Sequence, residues 1–561
     1  QGTTGYEFLN DLEAAFIDPD GAMELESAYR RIVGARARGG FEEAAVRGKE
    51  LVLRGALSAD VSRLVALLKQ TLRGRRGGEA RAGALRAAAS AVRRFIAALP
   101  VYRTYVDHRG KVHDDDRAVI AKGVERSRER WGKSATIDRI AAIINGPNDE
   151  NAQQFVGRLQ QTSGPATAKG VEDTALYRYV PLASLNEVGG DPARDLPRAV
   201  ADFHRANTVR ARRWPYSLLT TSTHDTKRGA DVRSRLDVLS EIPDDWIMAA
   251  RRWRRLLARH RTRVRGGPAP DVATEWLIYQ TMLGIWPAES DPRACARSVR
   301  NRVIEYMTKA NREAKVRTSW TTPDESYERA VETYVDAALA NDEFVGEMAA
   351  IASRVAPAGY CNALSRLAAH LTAPGTPDIY QGDEMWNLTL VDPDNRRAVD
   401  FDARRAALER IDAALNGGDA AAACADMLRH VADGRIKLHV TRTALRLRRQ
   451  SADVFIRGSY HSLEAKGEKA QHLLAFMRRS PGGAVITAGT RLPLSLAGAA
   501  GIPTGLAWGD STIILQGGDV PHRWRCALTG RTIEAHGVGG DVSLALREVF
   551  LTLPVALLVA V

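Results

Sequence analysis

The stretch Tyr216–Pro243, YSLLTTSTHDTKRGADVRSRLDVLSEIP, constrains the fold of this chain more than any other. It opens with Ser217-Leu218-Leu219-Thr220-Thr221, short, half-apolar and carrying β-branched threonines, as suits a buried strand. It closes with Val232, Leu236 and Leu239 at helical spacing, the apolar face of a helix. Between the two, Thr223-His224-Asp225-Thr226-Lys227-Arg228-Gly229 crowds polar and charged side chains onto the strand's carboxyl end. In a (β/α)8 barrel that end faces the active site. A carboxylate beside a histidine there suits a positive charge that develops in a transition state. The same residues also read as an ordinary helix start, with Asp225 or Thr226 capping the helix and Lys227 and Arg228 in solvent.

A chain of 561 residues is too long for one core and predicts two or three domains. Its hydrophobic and charged fractions, 45% and 26%, are those of an ordinary globular protein. A net charge of +13 would suit nucleic acid, but the arginines are scattered among Glu and Asp. The basic blocks Arg73-Gly74-Arg75-Arg76 and Arg251-Arg252-Trp253-Arg254-Arg255 are short and read as solvated faces or loop charge, so no nucleic-acid partner is expected. Cys295, Cys361, Cys424 and Cys526 lie far apart, which argues against a zinc site or a disulfide framework and fits a reducing compartment. The apolar run Val549–Val561 contains Pro554 and is too short to span a bilayer, so it reads as a closing strand rather than a membrane segment. The chain opens Gln1-Gly2-Thr3-Thr4-Gly5-Tyr6, without an initiator Met or signal peptide, and reads as starting inside a domain.

Gly2–Asn10 is a turn-rich entry into a helix. Residues 20–98 are helical in pattern, with Val61, Leu64, Val65 and Leu68 as a core-facing stripe and Gly74–Gly83 as a loop. After Pro100, Val101–Val106 alternates and reads as a strand. A second helical block over 115–205 contains Gln160–Tyr179, a Gly/Pro/Thr loop leading into Lys169, Glu172, Asp173, Tyr177 and Arg178, and then Leu185–Pro192. Trp246, Ala250, Trp253 and Leu257 form one apolar helix face and are expected in the core. Leu364, Leu367, Ala368 and Leu371 predict a helix running into Pro374–Glu384. Val391–Arg397 has alternating acids like a calcium loop, but Arg396 and the missing glycine exclude that reading, and no metal is expected. From about 452, short β-type runs such as Leu473–Phe476, Ala484–Thr487, Thr512–Leu515 and Ala556–Val559 predict an antiparallel β domain.

On these residues the chain resembles the maltooligosyl trehalose synthases, a branch of the α-amylase superfamily. His224 and Asp225 match the pair that ends that superfamily's seventh barrel strand, and Pro377, Tyr380, Gly382 and Glu384 coincide with its eighth-strand pattern. Gln160–Tyr179, Leu185–Pro192 and Val391–Arg397 resemble the synthase branch in particular. The resemblance implies an α/β fold: a (β/α)8 TIM-type barrel whose N-terminal strands are missing, large helical insertions, and a C-terminal antiparallel β domain. Val101–Val106 would be the sixth strand. The implied divisions are a partial catalytic barrel with a helical insertion at 1–110, an insertion at 111–205, the strand-seven unit at 206–243, an insertion at 244–357, the strand-eight unit with its following helices at 358–450, and the β domain at 451–561.

By the same resemblance, Asp225 is a catalytic carboxylate, His224 and Lys227 bind the sugar, and Lys169 grasps the reducing-end glucose. Tyr6 would stack on a sugar ring, and Arg103, with Tyr105, would point at the site. The implied reaction turns the reducing-end α-1,4 bond of a maltooligosaccharide into an α,α-1,1 bond, with retaining stereochemistry and without metal, nucleotide or redox cofactor. The substrate would be a maltooligosaccharide or glycogen-derived α-glucan, the product would pass to a maltooligosyl trehalose trehalohydrolase, and the setting would be cytoplasmic. The family's nucleophile and acid/base belong to strands four and five, and neither motif occurs after Gln1, so the chain alone is expected to be inactive. An α-glucan hydrolase or 4-α-glucanotransferase, and a non-catalytic glucan-binding fragment, are the alternatives.

Overall fold

The computed structural model describes residues 4–73, 82–288, 291–498, 501–516, 520–537 and 541–561. Most of the expected loop at Gly74–Gly83 and of the basic block at Arg73–Arg76 lies outside them, and Ala82 and Gly83 already belong to a helix. Two compact units are formed: Gln1–Ile32, Pro181–Lys309 and Glu325–Val561 make the first, Val33–Val180 and Ala310–Asp324 the second.

The second unit is helical, built on Gly40–Arg54, Ser58–Arg73, Ala82–Ala98, Asp114–Trp131, Ala135–Asn145 and Glu150–Thr167. The stripe Val61, Leu64, Val65 and Leu68 is buried in a core with Phe95, Ile96, Ile140 and Phe155, as its spacing predicts. Asp149 accepts the N–H of Ala152 at 2.8 Å and so caps the last of these helices. Val101–Val106, expected as the sixth barrel strand, forms no strand. The Val106 N–H donates to Gln160 Oε1 (2.7 Å), and its carbonyl accepts from Gln160 Nε2 (3.1 Å). The Tyr105 N–H donates to Asp116 Oδ1 at 3.0 Å. Helix side chains thus satisfy this extended backbone, and no neighbouring strand is needed.

In the first unit, β1 (Leu218–Leu219) is followed by the hairpin β2 (Thr262–Val264) and β3 (Gly267–Ala269), and then by β4 (Thr376–Pro377). β1 and β4 pair in parallel, Leu218 with Thr376 and Leu219 with Pro377. The 31-residue helix Asp342–Thr372 brings β4 to β1: its His370 Nε2 bonds the Leu219 carbonyl at 3.0 Å. Gly375 makes the turn between them at φ +131°, where a Cβ would sit 2.7 Å from Leu219. The polar segments therefore follow two adjacent parallel strands. No other parallel strand pair occurs among the described residues. Trp246 and Trp253 are fully buried and pack edge-on with Trp276, Tyr279 and Phe344 at 5.2–5.9 Å between ring centres, so the tryptophan stripe is core.

The C-terminal part is the expected antiparallel β domain. Its strands are β5 (Ser459–Lys466), β6 (Leu473–Ser480), β7 (Gly483–Thr490), β8 (Thr512–Gln516), β9 (Arg523–Cys526), β10 (Thr532–Glu534), β11 (Asp541–Ala545) and β12 (Val555–Ala560). They form one sheet in the order β10-β9-β12-β7-β6-β5-β8-β11, with every neighbouring pair antiparallel. One face packs on the end of helix Asp342–Thr372, where Thr487 Oγ1 bonds Thr372 Oγ1 at 2.8 Å. The run read as a closing strand supplies β12. All four cysteines are buried thiols. Among the described residues no helix is long and apolar enough to cross a membrane.

Candidate active site

The residues after β1 do not start the next helix in the ordinary way. Helix Ala230–Asp237 begins after Gly229, and neither Asp225 nor Thr226 caps it. Ser222 Oγ accepts the Ala230 N–H at 3.0 Å instead. Thr226 Oγ1 turns back on its own loop, accepting from the Thr223 N–H at 3.2 Å and donating to the Thr223 carbonyl at 2.8 Å. Thr223 Oγ1 accepts the Asp225 N–H at 3.1 Å and lies 2.9 Å from the Tyr6 hydroxyl. Tyr6 reaches it because Gly5, at φ +91°, lets the chain pass where a Cβ would be 2.4 Å from the Leu218 carbonyl. Asn395 Nδ2 holds the carbonyls of Thr223 (3.3 Å) and His224 (3.0 Å). The Tyr380 hydroxyl donates to the Asn395 carbonyl at 3.1 Å. The Pro377–Glu384 segment, through Tyr380 and Asn395, thus braces the loop after β1.

The result is a closed, knotted turn that presents two exposed side chains, His224 and Asp225, while Thr223, Thr226, Lys227 and Arg228 are buried. Solvated Lys227 and Arg228 are thereby excluded. Arg228 donates to the Tyr306 hydroxyl at 2.7 Å and to the Ala183 carbonyl at 3.1 Å. Burial raises the Tyr306 pKa, against the lowering charges of Arg228 and Lys227.

Behind the turn lies a buried ionic cluster. Glu187 accepts the backbone N–H of Lys227 (2.6 Å) and of Arg228 (3.2 Å), the two residues after Asp225 and Thr226. Arg233 joins Glu187 Oε2 (3.3 Å) to Glu13 Oε2 (2.7 Å), and Arg366 joins Glu13 to Asp237 (3.0 Å). Burial opposes the charge on Glu13, but Arg366 and Arg233 hold its pKa below the usual carboxylate range. Burial, and then the Glu13 charge, push Asp237 well above that range. The surroundings thus favour the charged form of Glu13, which Arg233 and Arg366 share, and disfavour the charged form of its neighbour Asp237. Glu13 and Asn395 are not among the residues that the motifs point to. Glu187 and Asn395 stand in stretches singled out as synthase-like, but Glu13 carries no local signal.

Lys169 and Arg103 lie in the second unit. Helix Glu150–Thr167 widens into a π-helical turn over Ala168–Ala175, a feature common at functional sites. Gly170 packs so tightly on helix Gly40–Arg54 that a Cβ would be 2.6 Å from Lys49 Cα. The Lys49 ammonium, buried and bonded to the Leu99 carbonyl at 2.8 Å, has its pKa lowered by burial to about 8. On the outer side Lys169 Nζ meets Asp173 at 2.7 Å with its side chain largely in solvent. Such an exposed pair is worth little, so a ligand can replace it at small cost. Tyr102 donates to Glu172, and the Arg103 guanidinium sits 4.6 Å from the centre of the Tyr105 ring.

No family model matches the chain. Along its full length it is 34% identical over 562 residues to a Mycobacterium tuberculosis protein (strain CDC 1551 / Oshkosh) named as a maltooligosyl trehalose synthase. The solved maltooligosyltrehalose synthase of Arthrobacter ramosus covers the whole chain at 34% identity with a TM-score of 0.76. A further solved maltooligosyl trehalose synthase does so at 26% identity and a TM-score of 0.70. The chain spans 62% of the length of the first protein and 63% of each of these two structures. The resemblance read from the motifs therefore holds along the entire chain.

Proposed function

We propose that this chain serves the intramolecular transglucosylation that turns the reducing-end α-1,4 bond of a maltooligosaccharide into an α,α-1,1 bond, giving maltooligosyl trehalose. The observation that carries this reading is the exposed His224–Asp225 pair at the carboxyl end of a parallel strand, within a chain similar to the synthases from end to end. On this reading β1 and β4 are the seventh and eighth strands of a (β/α)8 barrel, with the helical blocks as insertions. The substrate is a maltooligosaccharide or glycogen-derived glucan in the cytoplasm, and a trehalohydrolase takes the product.

The chemistry follows retaining logic. A carboxylate attacks the anomeric carbon while an acid protonates the departing glucose, and that glucose then attacks the glycosyl-enzyme through its own anomeric hydroxyl. Asp225 supplies negative charge opposite the oxocarbenium-like centre, and His224 holds the sugar beside it. Lys227, a buried residue of the same turn, adds its positive charge to the sugar-binding set. Tyr6 flanks the turn through Thr223. Lys169 grips the departing glucose while it turns, and Arg103 with Tyr105 lines its approach. Holding that glucose matters because water competes for the same intermediate.

On this reading two of the three carboxylates of this mechanism belong to strands whose motifs this sequence does not show. The purified 561-residue protein is therefore expected to turn over no maltopentaose, since groups that act as a unit lose nearly all their rate together. Robust formation of trehalosyl ends by it would place the nucleophile within this sequence. The roles can be tested in a chimera that adds the portion of the Arthrobacter ramosus synthase this chain does not match. There, Lys169→Ala should raise the free glucose released for each trehalosyl end formed, measured by chromatography. An equal fall in both products would reduce Lys169 to a general binding residue.

A further inference from the structure

The Lys169 turn is tied to a second exposed aromatic group, and its construction is unlike that of a stray surface residue. Trp320 is 52% exposed. Its indole N–H donates to Glu313 Oε1 at 3.0 Å, and the Arg312 guanidinium lies over the ring at 5.0 Å from its centre. The ring is thus held from its edge and across one face while about half of the residue remains exposed. Glu313 is itself fixed: its other oxygen lies 3.3 Å from Lys315 Nζ. Lys315 Nζ also donates to the Asp173 carbonyl (2.7 Å) and to Thr174 Oγ1 (3.0 Å). Asp173 is the residue whose carboxylate meets Lys169. Trp320 and Lys169 therefore stand at two ends of one bonded assembly within the helical unit.

The backbone of that assembly is strained. Lys315 has φ +52°, a conformation uncommon for a residue with a side chain. It is kept there by its four ammonium contacts and by Arg178, which donates to the carbonyls of Ala314 (2.6 Å) and Lys315 (3.2 Å). Strain of this kind persists where the surroundings over-determine a geometry, and it clusters at ligand-holding sites. An indole oriented in advance gives large contact area at small entropic cost, and its face complements the C–H face of a pyranose.

We infer that Trp320 is a stacking platform for a glucose ring of the α-glucan, fixed in register with the Lys169 turn. This rests on the proposed function and extends it by naming the aromatic group that takes the sugar's apolar face beside the cationic group that takes its hydroxyls. The test is calorimetric binding of maltoheptaose to the 561-residue chain and to two variants. Trp320→Ala should weaken binding about tenfold, whereas Trp320→Phe, which keeps a ring, should stay within about threefold. The thermal midpoint of each variant should match the parent, because the ring is exposed. If the parent binds and Trp320→Ala binds equally well, Trp320 is not a sugar platform, although the glucan reading survives. If Phe fails as badly as Ala, the ring face is not what binds, and the inference falls. A parent chain that binds no maltoheptaose would overturn the glucan reading and this inference together.

Discussion

Asp225→Asn in the chimera is expected to lower turnover of maltopentaose by two to four powers of ten, about 3–5 kcal/mol of transition-state stabilisation. Affinity for the substrate should change far less, because the positive charge that Asp225 faces exists only in the transition state. The substitution isolates that charge. The turn is anchored by Thr223, Thr226, Asn395 and Glu187, and Asp225 contributes its backbone N–H. An asparagine keeps that N–H and nearly the same shape, so the turn should survive. The expected signature is an equal fall in kcat and kcat/KM. A kcat within tenfold of the parent would remove Asp225 from the chemistry and leave it a binding or surface residue.

Glu13→Gln should be strongly destabilising, by about 3–5 kcal/mol, because it removes the carboxylate that the buried Arg233 and Arg366 share. Arg233 and Arg366 are almost fully buried and cannot recover the loss from water. Asp237→Asn makes the opposite prediction. Burial and the Glu13 charge disfavour the ionised form of Asp237, so a neutral amide in its place should cost about 1 kcal/mol or less. Calorimetry of the 561-residue chain can compare the two: a large fall in the transition midpoint is expected for Glu13→Gln and a small one for Asp237→Asn. Equal falls would mean that Asp237 is ionised and that the charge assignment is wrong.

Local pattern was a good guide wherever burial decides structure. The stripes at Val61–Leu68 and Trp246–Leu257, and the four β runs after 452, are where periodicity puts them because each has one partner surface to face. Val101–Val106 failed for an equally local reason. Alternation shows that a segment is extended, but not whether a strand or a side chain such as Gln160 will satisfy its backbone. At the site the sequence displayed His224 and Asp225 and hid their supports. Glu13 meets Arg366 across 353 positions of chain, and nothing near either residue announces the other. Residue type alone allows Asp225 or Thr226 as the helix cap, but Ser222, three positions before Asp225, accepts the Ala230 N–H in their place.

The two-residue pairing of β1 with β4 has a kinetic corollary. Its partners are roughly 160 residues apart, and closing a loop of that length costs about 4 kcal/mol of chain entropy beyond a constant term. Two ladder positions cannot repay that alone. The closure is driven by helix Asp342–Thr372, whose Gly359 lies against Arg235 and whose Asn362 bonds the Ser234 carbonyl at 3.3 Å, drawing Thr376 to Leu218 behind it. The strands should therefore meet after this helix has docked, and the turn that presents His224 and Asp225 should be among the last parts of the unit to acquire its native shape. Pulse-labelled hydrogen exchange during refolding would show it: the Thr376 and Asp378 amides, which donate to the Ser217 and Leu219 carbonyls at 2.8 Å, should gain protection after the amides of the helix. Maturation of the site would then be governed by the docking of a helix that carries none of its chemistry.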